Sequence, residues 1–173
     1  MMTLDLGSVR IGILLALLTL LYGFGLGGAF GAFEDNIKGS LAASAIAVKD
    51  TVYQGDEAAM KKITAKSWTY MKRAHLHANG LGTAALAIIF VLAGTRASSR
   101  VRGIVSTALG LGALGYASFW MFAGLTAPAL GSTHEAKEAL GWLAIPSAGL
   151  LILGLVAVLV LFARDQFMDR TAI

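Results

Sequence analysis

Residues 11–33 read IGILLALLTLLYGFGLGGAFGAF, 23 consecutive positions without a charged side chain. A helix needs roughly 20 apolar residues to cross the hydrocarbon core of a bilayer, so this stretch is long enough to span. Three more uncharged runs follow, at 78–95, 103–133 and 139–163. The second is short and is extended back to about residue 74, with histidines at its mouth. The third is too long for one helix. Pro128 and Gly131 predict that it ends near Leu125 and continues as a loop. The expected spans are therefore about 11–33, 74–95, 103–125 and 139–163. This predicts an all-α membrane protein: four transmembrane helices in a bundle, forming one integral membrane domain over residues 1–173.

Composition agrees. The chain is 57% hydrophobic and 14% charged, with a mean hydropathy of +0.72, against about 25% charged residues in a soluble domain. It has no cysteine, which excludes disulfides, thiolate metal sites, iron–sulfur clusters and covalently attached c-type haem. The net charge of +4 does not indicate nucleic acid, because the basic residues flank the spans, as topology signals do. The first run is longer than the apolar core of a usual signal peptide and is read as a retained helix.

Orientation follows from basic residues in short loops. The loop at 95–102 holds Arg96, Arg100 and Arg102 and no acid, so it is expected in the cytoplasm. The loop before span four sets Lys137 against Glu135 and Glu138 and is expected outside. Both termini then lie inside, beside Arg10, Arg164 and Arg170. The expected location is an integral membrane site of the bacterial inner-membrane type. Residues 34–73 run against this scheme. They carry Lys38, Lys49, Lys61, Lys62, Lys66, Lys72 and Arg73, yet fall outside. Five acids partly offset them, and longer loops obey the rule less well.

Within this outer segment Leu41, Ala45, Val48 and Val52 share a helical face. Gly55 interrupts the pattern, and Asp56 is placed to cap a second helix running into span two. The segment is expected to form an amphipathic helical hairpin on the membrane surface, with Trp68 and Tyr70 as interfacial anchors. Gly23, Gly27 and Gly31 make a GxxxGxxxG ridge on span one, and Ser106/Gly110 and Ala108/Gly112 repeat the spacing on span three. Such spacing serves close helix packing, within the chain or against another subunit.

All three histidines, His75, His77 and His134, fall at the outer end of the spans. His75 and His77 are two apart and point to nearly opposite sides of a helix. The His75 face continues through Asn79 and Gly82, small and polar; that of His77 continues through Leu81 and Ala84. Ser132 and Glu135 fit a capping box, which starts the fourth helix there and sets His134 and Glu138 one turn apart.

Three cofactor chemistries suit these residues. A b-type haem takes imidazoles from two helices; His75 and His134 are the candidate pair, with Met71 as alternative ligand and Gly82 and the Gly27/Gly31 ridge giving room to the ring. Zinc or copper suits His75, His134, Glu138 and His77, although no HExxH occurs. A quinone site near Trp120 and Phe119 is compatible with haem. The plain reading is that the histidines are boundary residues bonded to backbone or water. The function expected is a small membrane subunit binding haem or metal at the outer face, for electron transfer or quinol chemistry in a larger complex. The alternatives are a non-catalytic accessory subunit or a small transporter. The expected partners are the bilayer and other membrane subunits. No Walker loop, GxSxG elbow or dinucleotide fingerprint occurs, and no catalytic residue is assigned. Against transport, the spans carry almost no charge at mid-depth.

Overall fold

Asp5 opens the first helix: its carboxylate accepts a hydrogen bond from the Ser8 backbone N–H at 3.2 Å, satisfying one of the donors that a helix start leaves unpaired. The computed structural model describes residues 5–168, and within them the chain is helical without strands. Helix α1 spans Leu6–Ile46, 41 residues, or about 61 Å at 1.5 Å per residue. That is twice the roughly 30 Å of a bilayer core. The helix therefore does not stop where its apolar stretch stops. It leaves helical angles once, at Phe33 (φ −130°, ψ 25°), and continues. The helix expected afresh from Ser40 is the last part of α1. No proline or left-handed residue lies between Phe33 and Ser40 to end it, and Glu34 pairs with Lys38 one turn on.

The turn at 47–56 closes with Gln54 (φ 51°) and Gly55 (φ 81°), both left-handed. Asp56 then caps α2, Glu57–Ala93, accepting from Ala59 N–H at 2.9 Å. As expected, α2 runs unbroken into the second apolar stretch. Ser98 caps α3, Ser99–Leu130. This helix does not end near Leu125. It carries Pro128 and stops at Gly131, whose φ of 65° is the left-handed C-cap. A proline removes a single backbone donor, and tertiary contacts hold the turn around it: the Tyr53 hydroxyl donates to the Pro128 carbonyl at 2.6 Å, and Val52 packs on Gly131.

Ser132 caps the next helix, as read, accepting from Glu135 N–H at 3.2 Å. That helix, α4 (Thr133–Ala139), is short. Leu140 (φ −103°, ψ 12°) breaks it from α5, Gly141–Ala163, which ends in a π-helical turn, Arg164–Met168. Four helices, α1, α2, α3 and α5, are long and apolar enough to cross a membrane, the composition of an integral membrane protein.

Helix α3 is the common partner: it packs on α1, α2 and α5, whereas α1 and α5 do not touch. One core cluster unites Val9, Ala16, Ile89, Leu109, Ala113 and Val158. A second unites Leu26, Phe30, Leu41, Trp68, Met71 and Ala74. Trp68 and Tyr70 thus differ from the expected anchors. They are 9% and 3% exposed and pack edge-on against Phe30 and Trp120. Helix α5 instead presents Trp142, Ile145, Leu153 and Leu159 outward, the lipid-facing pattern of a helix buried on one side only.

Glycines set the helix crossings. A Cβ on Gly12 would lie 2.5 Å from the Ser106 backbone, and one on Gly110 2.6 Å from Leu15 Cβ. At one end Arg102 ties three segments together. It donates to Asp5 at 2.6 Å, to Ser8 Oγ at 3.0 Å and to the Thr95 carbonyl at 2.8 Å. The Ser8 backbone bond and the Arg102 guanidinium hold the Asp5 carboxyl below its ordinary value against a smaller opposing effect of desolvation.

Two outcomes follow from this packing. Gly12→Ala should cost about 1–3 kcal/mol, the range for overpacking, because the Cβ meets backbone. Gly25→Ala, where a Cβ meets nothing within 4 Å, should be neutral or slightly stabilising; thermal melts in detergent compare the two. Because the folded Asp5 carboxyl is lowered, its contribution is complete above the ordinary aspartate pKa of about 3.9. It is lost as pH falls through the lowered folded value. Melting temperatures between pH 6 and pH 2 should fall less steeply in Asp5→Asn than in the parent chain.

Candidate functional site

The His75 ring lies against the glycine ridge of α1. Its Nδ1 is 2.8 Å from the Gly23 carbonyl oxygen, and a Cβ on Gly27 would sit 2.7 Å from its Cε1. The absence of a side chain at Gly27 is what exposes the Gly23 carbonyl, whose second lone pair remains open after its own helix bond. Nδ1 therefore donates, and in the neutral ring Nε2 keeps its lone pair. A protonated Nδ1 cannot accept from the Asn79 amide, one turn on and 3.2 Å away. The Asn79 amide nitrogen faces the ring while its Oδ1 is buried with no partner, and turning the amide over gives both atoms of the pair a sound bond. The ring of Phe30 stands edge-on to His75, with centroids 6.3 Å apart.

His77 faces the other way, as its spacing required, and meets α3. Its Nδ1 is 2.8 Å from the Arg73 carbonyl of its own helix, and its ring stacks on Trp120 at 5.9 Å with planes 27° apart. Tyr116 meets it edge-on at 5.3 Å. The Arg73 guanidinium lies 5.0 Å from the Trp120 ring and 5.5 Å from that of Tyr70, a cation–π arrangement. The Trp120 indole N–H is buried without a partner.

His134 is on α4, its side chain 75% exposed, with Nε2 3.2 Å from a Glu138 carboxylate oxygen. The expected one-turn pairing is present. The expected convergence with His75 is a different matter. His75 faces α1, which α4 does not touch, and no hydrogen bond or ring contact joins the two histidines among the described residues. Trp120 lies beside His77, whereas Gly131 lies beside Val52 and Tyr53 at the far end of α2. Those 11 residues of α3 correspond to about 16 Å of helix.

The remaining expected ligands are also placed. Met71 is 2% exposed and packs on α3, where a Cβ on Gly124 would lie 2.7 Å from its Cγ. The space at Gly82 is taken by Leu20, 3.0 Å from a Cβ built there, and that at Gly27 by His75 itself. Only Gly31 of the ridge stays open, with nothing within 4 Å. Among the described residues no three His, Asp or Glu side chains gather closely enough to hold a metal ion.

The Arg73–Trp120–His77 stack was not legible as a unit. Its members lie 43 to 47 positions apart between α2 and α3, and only the register of the two helices joins them. Thr19 and Ser118 donate to the Leu15 and Leu114 carbonyls of their own helices, both at 2.8 Å.

The Gly23–His75 bond should appear in nitrogen NMR as a slowly exchanging Nδ1–H on one imidazole. Gly27→Ala should abolish that signal, and Gly28→Ala, with open space at its Cβ, should keep it. An Nε2–H tautomer in the parent chain would overturn the assignment. Comparison of the chain with protein-family models, with curated proteins and with solved structures found no match.

Proposed function

We propose that the chain is a membrane subunit that offers His75 as one ligand to a redox cofactor completed by another subunit. One observation carries this reading: Nδ1 of His75 is anchored to the Gly23 carbonyl, which leaves Nε2 as the electron-pair donor. Ligating histidines are held in this way, the second ring nitrogen bonded to a backbone carbonyl that fixes the tautomer and raises ligand basicity. A b-type haem is the favoured group and a zinc or copper ion the alternative. When bound, haem supplies one-electron transfer, which suits a membrane complex handling quinol. His75 would hold the iron, and Asn79 and Phe30 would orient the ring. The close packing at Gly27 and Gly82 argues against a haem enclosed between α1 and α2 of one chain. The site is therefore assigned to the outward side of that helix pair, where a neighbour would supply any further ligand. His134 and Glu138 are left as an exposed pair, available to a partner.

In this reading α1, α2, α3 and α5 form a four-helix membrane bundle. The ends of α1 and α2 beyond the apolar stretches stand outside the cytoplasm as a helical hairpin, and both termini are cytoplasmic. The lengths of α1 and α2 support it, since a bilayer core covers only about 20 residues of either. A non-catalytic accessory subunit is the second reading. It is favoured by the outward glycines of α1, where a Cβ at Gly25, Gly28 or Gly31 meets nothing within 4 Å. Small residues on an unpartnered membrane helix suit docking of another helix.

The test is the reduced-minus-oxidised spectrum of the complex purified through a tag on this chain. A b-type α-band that is lost or shifted in His75→Ala, and retained in His134→Ala, is the expected result. A complex without that band, and without stoichiometric zinc or copper, would overturn the cofactor reading in favour of the accessory one.

A further inference from the structure

Beyond Phe33 the two long helices enclose a groove of about 840 Å³, within the 300–1,000 Å³ range of small-molecule sites. Its floor is made of small or apolar side chains, including Ala42, Ala45, Ala65 and Trp68. Four lysines line it, Lys38 and Lys49 from the α1 side and Lys61 and Lys72 from α2, against one acid, Glu57. The two lysines of α2 are 11 positions apart, three helical turns or about 16 Å. An apolar trough this long, carrying net positive charge, is complementary to an elongated apolar body with one negative head.

The cations are not equivalent. Lys49 is 2.8 Å from Glu57, and that hydrogen bond raises the Lys49 ammonium above its ordinary pKa. Lys38 pairs with Glu34 and stands 5.6 Å over the Trp68 ring. Lys61 shares its end of the groove with Glu57, which would repel an anion. Lys72 is exposed and has no ion-pair partner within 4 Å among the described residues. It lies at the end of the groove nearest the apolar stretches, one residue before Arg73, which is engaged with Trp120 and Tyr70.

We propose that this groove binds a single-chain anionic amphiphile of the long-chain fatty-acid class, supplied by the bilayer on which the groove stands. The carboxylate pairs with Lys72. The alkyl chain lies along Trp68 and Ala65 toward Ala45, where burying apolar area stabilises it by about 25 cal/mol per Å². The proposal is independent of any cofactor at His75, whose ring lies on the glycine ridge below the groove.

The experiment uses the full chain in an uncharged maltoside detergent, with a dansyl-undecanoate probe followed by fluorescence. Saturable binding displaced by oleate, and not by oleyl alcohol or oleylamine, is expected. Lys72→Glu should weaken the probe at least tenfold, Lys61→Glu less, and Lys72→Arg should keep affinity within about threefold. Ala65→Trp, which fills the trough, should abolish binding; melting temperatures verify that each variant is folded. Equal displacement by oleyl alcohol, or no effect of Lys72→Glu, would overturn the proposal. So would displacement by phosphatidylglycerol but not by oleate, which would reassign the groove to a two-chain lipid. Failure of the probe to bind at all would equally overturn it.

Discussion

Close backbone approach is the constraint on which the rest of this molecule depends. In lipid the hydrophobic effect does not distinguish a helix neighbour from an acyl chain, so helices associate by fitting surfaces and by polar bonds. Dispersion falls off within an ångström of separation, and a missing Cβ is the simplest way to remove that ångström. Here the glycines interlock from both sides of α3. Gly12 meets Ser106 and Gly110 meets Leu15 on the α1 side, while Gly112 meets Leu151 and Gly154 of α5 meets Leu109. The same device brings the Gly23 carbonyl to His75. Between α1 and α2 it ends beyond Phe33: Gly39 has nothing near it, and these two helices meet instead through Leu41 and Trp68. Large side chains on one flank and alanines on the other leave the groove.

Much of this was legible in residue order, for physical reasons that differ by element. Asp56 and Ser132 cap helices where their side chains can reach the third N–H along, a purely local geometry. Spans are legible because the bilayer sets their minimum length. Helix ends held by tertiary contacts are not. Pro128 looked like a stop, yet a Tyr53 hydroxyl 75 positions away holds its turn helical. Trp68 and Tyr70 had the composition of interfacial anchors, and helix register put them inside. For the candidate site, periodicity separated His75 from His77 correctly, because opposite faces follow from spacing alone. It carried no information on which helix each face would meet.

Charge shows the same division between count and context. Residues 34–73 hold an excess of basic side chains that opposes the orientation drawn from the 95–102 loop. Several of these cations have local occupations: Lys38 and Lys49 with carboxylates, Arg73 over two aromatic rings. A cation neutralised within the folded chain contributes less field at the membrane surface than its place in a count implies. Arg102 belongs to the same class, since Asp5 engages it at 2.6 Å. Arg100 and Arg10 then weigh more in the charge asymmetry than the loop total.

Depth is the variable that counting spans leaves out. An even number of crossings assigns residues to one end of the molecule, and by that logic three histidines share an end. With α1 and α2 of 41 and 37 residues, however, an end is a zone roughly as tall as the bilayer core itself. Within it His75 sits on the glycine ridge, whereas Gly131, three residues before His134, meets Val52 and Tyr53 of the 47–56 turn, about 16 Å along α3 from Trp120. A metal–nitrogen bond is only about 2 Å long, so sharing an end of the molecule is a far weaker condition than sharing a metal ion. The Gly23 contact of His75 and the open positions at Gly25, Gly28 and Gly31 belong to one helix and differ only in the face they occupy.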